Sequence, residues 1–383
     1  MSQLSFLPRQ PRRHKQMGFS LIELMVAMVI GLLMLVAVLQ LFLDITRTND
    51  EMAKTNAQIE NGRFTIQLLQ SDLSHAGFWN GYIPQFDDLT EENIPGDAPT
   101  AVPDPCAAYA PWDATYITNL LGTPVQAYEE DGVPAGCAGL VSSPKSDTDV
   151  LVVRHAETCV AGVGGCEADT AGRLYFQASF CDDDAGDYVL GTTGFGLHTM
   201  TIPAGATSCN DAASTFAEKR KFVSSIYYIR DDNTLMRSQF DLASGVLEQQ
   251  PAQALIEGVE GFRVELGIDS LSKTGAAVNY AQAVNWADSS NKTTPTNRGD
   301  GSPDGDFIRC TTASPCDQDD LANVVTVKLY VLVRSLVATP GYTDTKTYNL
   351  GSTSLGPFED GFQRHLFSST VRLNNVSGRR ETP

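Results

Sequence analysis

The sequence predicts an α+β fold. A long N-terminal helix, membrane-length in its first half and amphipathic in its second, is expected to pack on a mainly antiparallel β-sheet domain with long disulfide-bonded loops. Three observations predict this. An apolar run reaches from Leu21 to Leu43, its only strongly polar members being Glu23 and Gln40. Apolar residues at helical spacing continue from Phe64 to Leu73. Segments rich in β-branched and aromatic residues recur after residue 148, and every cysteine lies after residue 100. The expected organisation is a leader over 1–18, a helix over 19–76 that crosses the membrane at about 21–43, and a β-rich domain over 77–383 with loop insertions at about 84–147 and 270–320.

The leader holds Arg9, Arg12, Arg13 and Lys15 and no acid. The positive-inside tendency therefore places it in the cytoplasm and the body of the chain across the membrane. From Leu24 to Leu43, twenty residues rising 1.5 Å each span about 30 Å, the thickness of a bilayer's hydrocarbon. Glu23 is the anomaly, since an ionisable side chain costs roughly 2.5–3.5 kcal/mol at the centre of a membrane helix and less near an interface. Cleavage after Gly18 would free an amine on Phe19, four residues before Glu23. That amine, on this chain or a neighbour, is a natural partner for the carboxylate. An ordinary secretory signal is cut after its apolar region, beside small residues, and no such site precedes Gln40. A plain signal anchor accounts for the basic flank and the apolar run, but not for Gly18-Phe19 or Glu23.

The helix is expected to continue, because residues 44–60 are polar and free of proline and glycine. Phe64, Leu68, Leu69 and Leu73 then fall near one helical face, the expected core stripe, with Ile66 off it. Gly62 weakens the helix by about 1 kcal/mol relative to alanine and marks a place for a bend. Gly77 is the expected C-cap.

Residues 78–147 read as loop-rich. Strands are expected at Asp149–Arg154 and Leu174–Phe180, and a hairpin at Ser225–Arg230 and Thr234–Ser238 around Asp231-Asp232-Asn233. Phe262–Ile268 alternates apolar and polar residues, as a half-buried strand does. Val324–Val333 is nearly continuous in β-formers, and His365–Leu373 is the last strand. The short connections suit an antiparallel meander.

The chain of 383 residues carries a formal charge of −19; without the four leader cations the remainder carries −23. A body this acidic lacks the clustered Lys and Arg that phosphate contacts need, so no nucleic-acid partner is expected. The cysteines are Cys106, Cys137, Cys159, Cys166, Cys181, Cys209, Cys310 and Cys316. An even count in a translocated domain points to disulfides. Sequence does not fix their connectivity, and the working expectation pairs sequential neighbours: 106 with 137, 159 with 166, 181 with 209, and 310 with 316. Zinc is the competing reading, but there is no C-x-x-C pair and His14, His75, His155, His198 and His365 are scattered. No nucleophile–histidine–acid motif, H-E-x-x-H, phosphate-binding loop or G-x-S-x-G is present, so neither enzymatic activity nor a cofactor is expected. Asp300–Asp306 resembles the start of a calcium loop, but Thr311 stands where such a loop has its bidentate glutamate, and a solvated turn is the plainer reading. Arg298-Gly299-Asp300 is too short a motif to indicate a receptor ligand.

Gly18-Phe19-Ser20-Leu21-Ile22-Glu23, heading an apolar helix, resembles the class III signal of type IV pilins and type II secretion pseudopilins. The resemblance implies that a prepilin peptidase cuts after Gly18 and methylates Phe19, and that Glu23 guides assembly. Asn61-Gly62-Arg63-Phe64 through Ala76-Gly77-Phe78, Tyr227-Tyr228-Ile229-Arg230, Gly258-Val259-Glu260-Gly261-Phe262 and Arg364–Val371 resemble the PilW minor-pilin family in composition and order. The chain departs from that family at Ser74-His75, where arginine is frequent, and at Asn374-Asn375, where an Asn-Arg ending is frequent. The resemblance implies a pilin-like fold and a minor pilin acting in type IV pilus assembly, in a tip or priming complex with other minor pilins and the major pilin. It implies an inner-membrane location, with the C-terminal domain periplasmic, before transfer to the pilus on the cell surface. The alternatives are a type II secretion pseudopilin and an adhesin at the pilus tip.

Overall fold

The structure, a computed structural model, describes residues 18–110 and 112–381. The leader cations and His14 lie outside the described residues. The chain divides into two compact units, Met1–Ala53 and Lys54–Pro383. The described part of the first unit is the apolar portion of helix α1, which runs from Leu21 to His75. Its side chains from Leu21 to Leu43 are exposed. This helix is long and apolar enough to cross a membrane.

In the second unit, α1 continues through Gly62. The buried helix positions are Gln58, Gly62, Thr65, Leu69 and Leu73. Leu68, Leu69 and Leu73 of the expected stripe lie at the core, but Phe64 is 54 % exposed, and Ile66, expected off the stripe, packs on the core. The reason is specific partnering. Gln58 Nε2 donates to the carbonyls of Val333 at 2.6 Å and Gln363 at 2.9 Å. Gly62 lies under the ring of Phe367, so close that an added Cβ would fall 2.0 Å from Cε2. Gly77 leaves the helix with φ +72, as a capping glycine does.

Two sheets take up the rest of the core. The first comprises Val125–Glu129 (β1), Asp149–Ala156 (β2), Tyr175–Ala178 (β3), Tyr188–Gly191 (β4), Lys219–Arg230 (β5), Thr234–Ala243 (β6), Val246–Gln249 (β7) and Gln253–Glu257 (β8). Its order is β1-β2-β5-β3-β4, with β6 pairing β5, β7 and β8, and all pairs are antiparallel. Strand β5 is the spine, because its length lets one edge pair with β3 and then with β6. The sheet is thus no simple meander. The segment read as loop-rich also supplies β1 and the helix Ala114–Gly122 (α2), capped by the Asp113 side chain at Tyr116 N.

The second sheet is built from Val259–Ile268 (β9). After a small hairpin, Trp286–Asp288 (β10) with Thr293–Pro295 (β11), and the short helix Gln318–Ala322 (α3), comes Val324–Arg334 (β12). A second hairpin, Tyr348–Leu350 (β13) with Thr353–Leu355 (β14), leads to Arg364–Arg372 (β15) and the helix Asn374–Arg380 (α4). The order is β15-β12-β9. One face of β12, Val325, Val327, Leu329, Val331 and Val333, joins Leu69 and Leu73 of α1 in the main core. The other, Tyr330 and Leu332, is covered by Tyr348 and Leu350. Burial on both faces explains its unbroken run of β-formers. It also corrects the half-buried reading of β9, all ten residues of which are buried. Its polar members have partners: Arg263 donates to Asp149 and Thr353, and Glu265 accepts from Ser352 N.

Candidate processing and assembly site

Ser20, Leu21, Ile22 and Glu23 determine how the helix begins. The Leu24 amide donates to the Ser20 carbonyl at 3.2 Å, the first helical bond. The Ser20 amide donates to Glu23 Oε2 at 2.9 Å, and the Glu23 amide donates to Ser20 Oγ at 3.3 Å. This reciprocal pair is a capping box, which satisfies two amides that the first turn would otherwise leave open. The Ser-x-x-Glu spacing is the sequence signal for it, whereas the expected partner of the carboxylate was the Phe19 amine of this chain or a neighbour. The box also holds the carboxylate at the positive end of the helix dipole. Upstream, Gly18 has open space around it and Phe19 is 87 % exposed. The Gly18–Phe19 bond lies in irregular, exposed backbone ahead of the helix, and Glu23 reaches back to the Ser20 amide beside it.

The second unit draws together the motifs that are separate in sequence. Asn61 Nδ2 donates to the carbonyl of Glu257 at 3.1 Å. Gln70 Nε2 donates to Ser369 Oγ at 2.6 Å, and Phe367 covers Gly62. The helix segment 58–70 is thus fitted to β15. Arg364 on β15 faces Glu260 on β9: Nη2 lies 3.1 Å from Oε1, and Nε bonds Oε2. The same guanidinium reaches Asp344 at 3.0 Å and Asp360 at 2.7 Å, so one buried arginine neutralises Glu260 of the sheet and two carboxylates of the connections between β12 and β15. A second buried arginine, Arg380, joins Asp87 at 2.8 Å and Asp269 at 3.2 Å, closing α4 onto the domain. Asn375 donates to the carbonyls of Ser74 and Ala76, so the two positions that depart from the family pattern meet.

The cysteines are joined 106–137, 159–166, 181–209 and 310–316. Among the described residues, the groups of three ligand atoms that converge are Asp104 with Cys106 and Cys137, and Asp183 with Cys181 and Cys209. In both, the sulfurs are already paired with each other and have no thiolate to offer a metal. The acidic turn at 300–306 is built on Asp269, whose carboxylate accepts from the amides of Asp300 and Gly301. Arg298 is buried, so Arg298-Gly299-Asp300 does not present its cation. The histidines are less isolated than the sequence implied. His155 bonds Asp72 at 2.9 Å, Tyr227 donates to the other Asp72 oxygen at 3.0 Å, and the His75 and His155 ring centroids are 5.5 Å apart.

Comparison with known proteins bears on both units. Residues 13–39 match the prokaryotic N-terminal methylation motif. Residues 226–375 match the family of type IV pilus-assembly protein W. That span contains Glu260 and Arg364, but not helix α1. No curated protein matches the chain. Among solved structures, a type IV-like pilin, TTHA1219 from Thermus thermophilus, is 17 % identical, over 61 % of this chain and 82 % of that one, with a TM-score of 0.25.

Proposed function

We propose that this chain, a minor pilin of the PilW family of type IV pilus proteins, works in a tip or priming complex from which the pilus is assembled. The observation that carries the reading is the N-terminal arrangement: an accessible Gly18–Phe19 bond, with Glu23 held at the start of an exposed apolar helix. A prepilin peptidase would cut that bond and methylate Phe19. The inner membrane would hold the apolar helix until the subunit joins other minor pilins and the major pilin. The acidic domain would lie on the periplasmic side and then on the cell surface. Its part is structural, with no catalytic role.

Deletion of the gene, scored for surface pili, attachment and protein secretion, tests this. Loss of pili, restored by the wild-type chain, is the expected result. Pili that persist without attachment would favour the adhesin. Intact pili with failed secretion would favour the pseudopilin.

A further inference from the structure

His155 on β2 is buried, 7 % exposed, where the last turns of α1 meet the first sheet. Both of its ring nitrogens face acceptors. Nδ1 lies 2.9 Å from the Ala156 carbonyl, and Nε2 lies 2.9 Å from Asp72 Oδ1 on α1. A neutral imidazole has one N–H and would leave one acceptor facing a lone pair; only the imidazolium satisfies both. Asp72 is fixed from its other side by the hydroxyl of Tyr227 on β5. The remaining titratable and charged groups are His75 from α1, Glu157 just beyond β2 with Lys221 of β5 beside it, and Arg237 of β6 beside Tyr227. A cleft of about 340 Å³, lined by Ser71, Asp72, His75, Tyr227 and Arg237, opens at the Asp72 side of the pair.

We propose that His155 and Asp72 form a pH-operated latch: the imidazolium fastens the C-terminal turns of α1 to the sheet, and loss of its second proton loosens them. Burial by itself favours the neutral ring, but the bond and charge of Asp72 outweigh it and raise the His155 pKa above the ordinary histidine value. The latch is therefore fully closed below about pH 6.5, the value for an unconstrained histidine, and opens as pH rises through the higher folded-state value. The inference concerns folding of the domain and does not rest on the pilus reading.

The test uses the full chain in detergent micelles with labelled histidines. NMR titration would locate the His155 midpoint, assigned by its loss in His155→Gln. Hydrogen exchange of residues 68–76, corrected for intrinsic rate, would be followed over the same pH range. The expected midpoint lies above 6.5, and protection of 68–76 falls by about tenfold for each unit of that excess. Exchange in β12 should stay unchanged. In Asp72→Asn the midpoint moves down. Should His155→Gln fail to fold, the Asp72→Asn displacement assigns the signal. A wild-type midpoint at or below 6.5, or protection of 68–76 that is flat through the titration, overturns the latch.

Discussion

Glu23 has one role in the structure and a second under the proposed function. In the single chain its carboxylate caps its own helix through the Ser20 amide. In an assembly, the methylated amine of a neighbouring Phe19 could still approach the same carboxylate, whose two oxygens accept several donors. Glu23→Gln keeps the size and removes the charge. It should be cleaved and inserted normally, yet fail to co-purify with other minor pilins; normal incorporation would show that charge pairing is not its role. Gly62 supports a second prediction. Gly62→Ala improves helix propensity by about 1 kcal/mol, but its Cβ would overlap the Phe367 ring. The variant should lose about 1–3 kcal/mol in denaturant unfolding, as overpacked sites do. Adding Phe367→Leu should recover much of that loss; stabilisation by Gly62→Ala alone would contradict the packing. Glu23 was legible because a carboxylate at the head of an apolar helix demands explanation. Gly62 was misread as a weak point, because what requires a glycine there is a ring more than 300 positions away.

At the scale of elements, local pattern located most strands and missed what partners decide. The run Val324–Val333 announced β12, and Asp231-Asp232-Asn233 announced the β5–β6 hairpin. The face of α1 follows the apolar spacing at Leu68, Leu69 and Leu73 but not at Phe64, and it also takes in Gln58, which donates to carbonyls of the domain, something hydrophobicity does not register. Strand β9 looked half-exposed because Arg263 and Glu265 alternate with apolar residues; both are buried with partners on β2 and the β13–β14 hairpin. The same holds for Arg364 and Glu260, visible as family-like motifs with no hint that they touch. Arg364→Met would take from the buried Asp344 its arginine partner and leave Glu260 with Arg334 alone, 3.5 Å away. Breaking such a group typically costs about 3–5 kcal/mol. The full chain should show that loss in denaturant unfolding, and a loss below about 1 kcal/mol would mean water already screens the cluster.

Across the whole molecule, disulfides secure the long connections. The 106–137 bond closes a loop with sequence separation 31, and the 310–316 bond one of 6. Loop-closure entropy makes the longer one worth about 1–1.5 kcal/mol more. Paired Cys→Ser replacement at 106 and 137 should therefore destabilise more than at 310 and 316; the reverse order in thermal unfolding would show that native contacts govern instead. Under the proposed function the chain is processed after Gly18 and withdrawn from the membrane into a fibre. Amino-terminal mass spectrometry of sheared, washed pili tests that most directly. The account predicts a mature chain that begins with N-methyl-phenylalanine at Phe19. A chain absent from pili, or one that retains its leader or begins beyond the apolar run, would contradict it.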